Sequence, residues 1–234
     1  MCTRFVYRGS NMITGFNFDI DLSVWTHKVI KEKNRFSIGI MRPDKTYHSY
    51  HGVNQNGNAG TLLYVHGNSD GAYQTGHNCM TVADLTERFI NAELSFDEVL
   101  QIVKTKKIVY APDATMQAML SDIQGRTLVI EPGIGYREEQ GKYSLITNYS
   151  LIKPESTKDF IVPGDNRYEV ALQLLDSHKS EFSIDDAFTL LHAVRQEGMW
   201  ATRVSFVYSA NEHAVYYTEN NHFENIRKFT FPAD

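Results

Sequence analysis

MCTRFVYRGSNMITGFNFDID, residues 1–21, decides how this chain is read. Two runs, Arg4 to Arg8 and Ile13 to Phe18, are rich in β-branched and aromatic residues and flank a turn cluster, which predicts two strands. A third such run, Phe36 to Met41, extends the same early sheet region. The chemistry lies at the front of the stretch. Cys2 follows Met1 directly and precedes Thr3, so removal of the methionine leaves a cysteine as the new terminus, with thiol and α-amine on one residue. An α-amine with a reference pKa of about 7.7 to 8.0 is partly neutral near physiological pH and accepts the proton of a thiol whose reference value is about 8.5. Many chains carry a small second residue with no chemistry attached, so the dipeptide needs support from the rest of the sequence.

Composition narrows the field. With 234 residues, 42% of them hydrophobic, the chain is expected to form one domain over residues 1–234, with residues 2–234 as the mature form. There is neither a basic leader followed by an apolar stretch nor a run of about 18 apolar residues, so the expected location is the cytoplasm and no membrane partner is implied. Two cysteines, Cys2 and Cys79, make no disulfide framework and suit a reducing compartment. The formal charge of −5 is interspersed, and KTKK at 104–107 is the one short basic cluster, read as a solvated helix end; nucleic-acid binding gains no support. His48 with His51, and His77 with Cys79, lie close in sequence but lack the further ligands zinc asks for, so no metal is expected. GIG at 133–135 lacks the rest of a dinucleotide loop, there is no P-loop, and no cofactor is implied.

Beyond the opening strands, HGVNQNGNAG at 51–60 suits a tight hairpin connection into a strand from Thr61 to Val65. Helical spacing follows over Thr81 to Asn91 and Ser95 to Lys104, the second opened by a capping box of Ser95 and Glu98. Strands return at Lys107 to Tyr110, Met116 to Asp122, Thr127 to Glu131 and Tyr143 to Thr147. Arg167 to His178 and Ser183 to Gln196 read as amphipathic helices, the latter with Ser183 and Asp186 as cap candidates, before a final hairpin from Thr202 to Phe231. Each helix pair needs a sheet face on which to bury its apolar stripe. The order strands, helices, strands, helices, strands therefore argues for an α+β fold of two sheets between helix layers.

Taken together, MCT at 1–3, GFNFDID at 15–21, HGVNQNG at 51–57, GRTLVIE at 125–131, LITN at 145–148, PGDNRYEVA at 163–171 and SFVYSANEHAVYYTENN at 205–221 resemble the choloylglycine hydrolase and penicillin V acylase family. The resemblance spans nearly the whole chain, which is shorter than bile-salt hydrolases before PGDNR. It implies an N-terminal nucleophile hydrolase fold, a four-layer αββα sandwich of two antiparallel sheets, and cleavage of linear carbon–nitrogen amide bonds. It also implies roles for single residues. Cys2 would be the nucleophile, and Asp19 would orient the α-amine, although composition alone leaves Asp21 an equal candidate. Asn148 would donate to the developing oxyanion, and Arg167 would depress the thiol pKa. The family carries an arginine where this chain has Phe16, which removes a cation and offers an aromatic surface to the acyl group. Asn17 neighbours these groups and either contacts substrate or caps a turn. Leu62, Leu63 and Tyr64 fall where the family places a second oxyanion residue, with Tyr64 favoured.

The expected function is hydrolysis of a small N-acyl compound through a thioester on Cys2. The alternatives are an acyltransferase that passes the same thioester to an amine, and a silent binding module on the same fold. The partner expected is a small-molecule N-acyl substrate. A homo-oligomer stays open, because bile-salt hydrolases tend to be tetramers but the segment that helps assemble them is shortened here.

Overall fold

A computed structural model describes residues 1–178 and 181–232. The opening stretch forms β1 (Cys2–Arg8) and β2 (Met12–Asp19), antiparallel with Cys2 opposite Phe18, Arg4 opposite Phe16 and Val6 opposite Thr14. Because side chains alternate along a strand, the two faces of this pair enter different cores. Val6, Phe16 and Phe18 join Phe36, Ile38 and Val53 in one apolar cluster, while Phe5, Tyr7 and Ile13 join Leu175, Phe188 and Leu191 in another. Gly15 is required by this packing: a Cβ there would sit 2.4 Å from the Phe5 ring.

The remaining strands are β3 (His27–Glu32), β4 (Arg35–Met41), β5 (Tyr47–Asn54), β6 (Ala59–Tyr64), β7 (Cys79–Thr81), β8 (Lys107–Val109), β9 (Met116–Ser121), β10 (Thr127–Glu131), β11 (Gly135–Glu139), β12 (Tyr143–Ile146), β13 (Thr202–Ser209), β14 (Ala214–Glu219) and β15 (Arg227–Thr230). Among the described residues they build a six-stranded antiparallel sheet ordered β12-β1-β2-β13-β14-β15 and a seven-stranded antiparallel sheet ordered β11-β10-β9-β6-β5-β4-β3. Strands β7 and β8 form a small parallel pair. Helix α1 (Val82–Ile90) packs on β5, β6 and β9 with α2 (Phe96–Thr105) beside it; α3 (Arg167–Ser177) and α4 (Ile184–Ala193) cover the six-stranded sheet. The order of layers is helices, sheet, sheet, helices, the αββα sandwich expected from the sequence.

Local chemistry agrees with this order. The Ser95–Glu98 capping box opens α2, and a second box of Ser183 and Asp186 opens α4. The asparagine-rich connection becomes a tight β5–β6 turn, where Asn54 accepts from Asn56 and Asn58 and Gly57 sits at φ +76°. Three features differ from the sequence expectation. The β5 strand reaches back to Tyr47, β3, β7 and β11 are additional, and the final hairpin is three strands rather than two. The added edge strands β3 and β11 are polar and largely exposed, so they lack the apolar alternation that marks a strand in sequence.

Candidate active site

Strand β1 carries Cys2 into the space between the sheets, where it is 6% exposed. Its Sγ lies 3.8 Å from the backbone carbonyl oxygen of Asp19, at the end of the paired strand. Burial dominates the thiol and pushes it up to about 11; the positive amino group of Met1 pulls downward, the Asp19 carboxylate pushes up, and Arg167 pulls down least of all. The guanidinium acts in the expected direction, but desolvation outweighs it, and in the chain that still bears Met1 the thiol is protonated.

Both ends of the Cys2 backbone are held. Its N–H donates to Asn148 Oδ1 at 2.6 Å, and its carbonyl oxygen accepts from Arg167 Nη1 at 3.0 Å. Arg167 Nη2 also donates to Asn148 Oδ1 at 3.2 Å, while Asn148 Nδ2 donates to the Tyr64 carbonyl oxygen at 2.7 Å. Two donors converge on one side of this amide and a carbonyl stands on the other, which fixes its orientation. Asn148 therefore bridges the sheets, from the end of β12 to the end of β6. One of its amide hydrogens, assigned from the sequence to an oxyanion, is engaged by Tyr64.

Arg167 is 3% exposed and opens α3. Its Nε and Nη2 donate to the Asp165 carboxylate at 2.8 and 2.7 Å, and Asp165 Oδ1 also accepts the Arg167 N–H, supplying the helix start with an acceptor that Asn166 does not. Arg167 Nη1 stands 3.5 Å from Asp19 Oδ2. The other carboxylate oxygen of Asp19 accepts from Thr202 Oγ1 at 2.6 Å. Thr202 reaches it because the β13–β2 register shifts between Thr202 and Val204, a bulge that sets Thr202 opposite Asp19. Burial raises the Asp19 carboxyl to about 7, against the downward pull of the Met1 amino group and Arg167. That amino group donates to the Asp19 carbonyl oxygen at 3.2 Å. Asp21, the rival on composition, closes a local turn by accepting from Ser23 N and Oγ.

A cavity of about 120 Å³ opens beside Cys2 and Met1, walled by Phe18, Trp25, Ile40, Leu62, Met116 and Trp200. His51, Arg42 and Tyr64 add polar atoms to the same wall. Of the residues expected to contact substrate, Tyr64 is at the cavity and three are not. Phe16 is fully buried behind the wall, its ring 5.0 Å from His51 and 5.6 Å from Phe206. Asn17 lies on the opposite face of β2, donating to the Leu191 carbonyl oxygen of α4 at 2.8 Å and accepting from Ser205 Oγ at 2.7 Å. Leu63 is fully buried in the core, and its neighbour Leu62 holds the wall position.

Sequence reasoning missed Asp165, Thr202 and His51. Asp165 sits inside the quoted PGDNRYEVA and was within reach of that motif; Thr202 depends on a bulge that leaves no local mark. His51 entered only as a metal candidate with His48, whose ring nitrogens instead engage Thr46, Asp44 and Glu87. Among the described residues no group of three or more His, Cys, Asp or Glu side chains could hold a metal ion, and no helix is long and apolar enough to cross a membrane.

No family model matches the chain, and no curated protein matches it by sequence. Solved structures do. A variant of conjugated bile acid hydrolase from Clostridium perfringens aligns at 16% identity over 98% of this chain and 92% of that one, with a TM-score of 0.72. Penicillin V acylase from Agrobacterium tumefaciens aligns at 17% identity over 94% and 83%, with a TM-score of 0.66. The Caenorhabditis elegans ortholog of N-acylethanolamine-hydrolyzing acid amidase aligns at 12% identity over 99% and 100%, with a TM-score of 0.57. Strand order, layer order and these alignments lead to one conclusion about architecture: the chain has the N-terminal nucleophile hydrolase fold that conjugated bile acid hydrolase and penicillin V acylase share.

Proposed function

We propose that this protein, once Met1 is removed, hydrolyses a linear amide of a small N-acyl compound with Cys2 as nucleophile. The observation that supports this reading most directly is the double hold on Cys2, its nitrogen on Asn148 and its carbonyl on Arg167, beside a cavity large enough for a short acyl group. In the Met1-bearing chain that nitrogen is an amide and cannot act as a base. Removal of Met1 makes it an amine in a place where Asn148 Oδ1 already accepts its hydrogen, and it empties part of the cavity wall.

The α-amine takes the thiol proton, and Sγ bonds to the amide carbonyl carbon, placing a negative charge on the carbonyl oxygen. As the carbon–nitrogen bond breaks, the amine returns the proton to the leaving nitrogen and a thioester remains on Sγ. Water then adds to the thioester with the same amine taking its proton; the carbon–sulfur bond breaks, the carboxylic acid departs and the thiol is restored. Asn148 and Arg167 hold the Cys2 nitrogen and carbonyl during both halves, with Asp19 beside the Arg167 guanidinium, and the second Asn148 amide hydrogen, not engaged by Tyr64, is the candidate oxyanion donor.

Intact mass spectrometry of the protein incubated with N-acyl glycines and quenched in acid tests this. The expected result is a species lacking Met1 that carries one acyl increment, lost in Cys2→Ala together with turnover. Turnover by Cys2→Ala, or turnover by a chain that keeps Met1, would overturn it.

A further inference from the structure

His51 is 2% exposed and stands in the wall of the Cys2 cavity, its ring 5.0 Å from Phe16 and 4.9 Å from Phe18. Its Nδ1 accepts the Leu62 N–H at 3.2 Å. A neutral imidazole that accepts at Nδ1 carries its hydrogen on Nε2, and Nε2 is buried with no hydrogen-bond partner. A buried donor left unpaired is costly and calls for an explanation, and in a cavity wall an acceptor on the bound molecule supplies one. The cation of the wall, Arg42, is already paired with Asp113 and lies over the rings of Trp25 and Tyr50.

We propose that His51 Nε2–H is a specificity determinant that hydrogen-bonds an oxygen acceptor within the acyl chain of the substrate, so that the preferred acyl group is short, apolar and interrupted by an ether, carbonyl or hydroxyl oxygen. The acyl side is the part in question because it stays bonded to Sγ in the cavity while the amine leaves. Burial pushes His51 down to about 3, so the ring keeps this one-donor, one-acceptor form throughout the working pH range. The inference rests on the amide-hydrolase reading for the identity of the ligand, and its test is read in binding as well as in turnover.

The probes are the glycine amide of hexanoic acid and its three isosteres, in which one methylene is replaced by an ether oxygen: propoxyacetyl, ethoxypropanoyl and methoxybutanoyl. An apolar cavity without a donor disfavours every ether, since burying an unpaired oxygen costs free energy. With the donor, one isostere should bind Cys2→Ala about tenfold tighter than hexanoylglycine by calorimetry, and should show a similar kcat/KM advantage in the active protein. His51→Phe keeps the stacked ring, removes the donor, and should reverse the order. Should that variant not fold, selective ¹⁵N-histidine labelling gives a second readout: the His51 Nε2–H resonance should move downfield with the preferred ether and stay in place with hexanoylglycine. Tighter binding of hexanoylglycine than of all three ethers, an ether preference that survives His51→Phe, an unmoved resonance, or no binding of any probe overturns the inference. Ether-selective binding without turnover in the active protein sinks the hydrolase reading and supports the recognition role.

Discussion

Arg4 and Phe16 are direct cross-strand partners on β1 and β2, and both are fully buried. The arginine that the family resemblance expects at position 16 is absent, and the buried arginine across the strand pair is turned to other partners. Arg4 Nη1 donates to the Phe5 carbonyl oxygen at 2.9 Å and Nη2 to Ser121 Oγ at 3.0 Å, Nε has no partner, and no carboxylate pairs with it among the described residues. Burial accordingly pulls the guanidinium down to about 9. An unpaired buried cation costs stability, and an apolar side chain of similar length avoids that cost. Arg4→Met is expected to hold or raise the melting temperature; a marked fall in thermal unfolding experiments would show that the two hydrogen bonds outweigh the desolvation.

Removing Arg167 is a different matter. It leaves Asp165 and Asp19 buried without their cation and frees the Cys2 carbonyl and Asn148 at once. Arg167→Ala should lose about 3–5 kcal/mol of stability, the range typical when one partner of a buried pair is deleted. Urea unfolding measures this directly, and a loss below about 1 kcal/mol contradicts the buried-pair account.

Two buried groups tilt stability in opposite directions with pH. Asp19, lifted to about 7, keeps a proton in the folded chain that the unfolded chain releases near 4, so its contribution is present at acid pH and lost as pH rises to about 7. His51, lowered to about 3, stays neutral when folded while the unfolded chain takes a proton below about 6.5, so its contribution is present above that value and lost as pH falls. Asp19→Asn should therefore gain stability over the parent progressively between about pH 4 and 7, checked by urea unfolding across that window. A pH-independent difference rejects the assignment.

Cys2 reactivity should report the state of the terminus. With the thiol at about 11, only about one molecule in a thousand is thiolate at pH 8 in the Met1-bearing chain. Iodoacetamide should modify half-buried Cys79 well before Cys2. Trimming Met1 places an ammonium beside the thiol and should speed Cys2 alkylation; peptide mapping of the time course decides, and equal rates before and after trimming refute the electrostatic coupling.

Much of this architecture was legible in the sequence because local chemistry and global fold agree. The Ser95–Glu98 box, the apolar alternation of β1 and β2 and the Gly–Asn turn before β6 each carry their own signal. The joint order of the motifs also named Cys2, Asp19, Asn148 and Arg167, which hydrogen bonds and close polar contacts now gather. The cavity wall was less accessible. A one-residue difference in strand position decides whether a side chain faces the cavity or the helices. Asn17 and Phe18 fall on opposite sides of that alternation, and no composition argument separates them. Thr202 was hidden for a related reason, since the bulge that aims it is a property of strand pairing rather than of its neighbours in sequence.

Asn148 reaches Cys2 across 146 positions, and Thr202 reaches Asp19 across 183. During synthesis Cys2 is made before Asn148, Arg167 and Thr202, so it passes that interval without the grip that the finished sandwich gives it. If Met1 is trimmed as proposed, a peptidase acting before closure meets an end not yet held, whereas after closure Cys2 is tied at both its nitrogen and its carbonyl. Closing this centre is thereby tied to the slow, long-range part of folding, since its members are kept so far apart along the polymer.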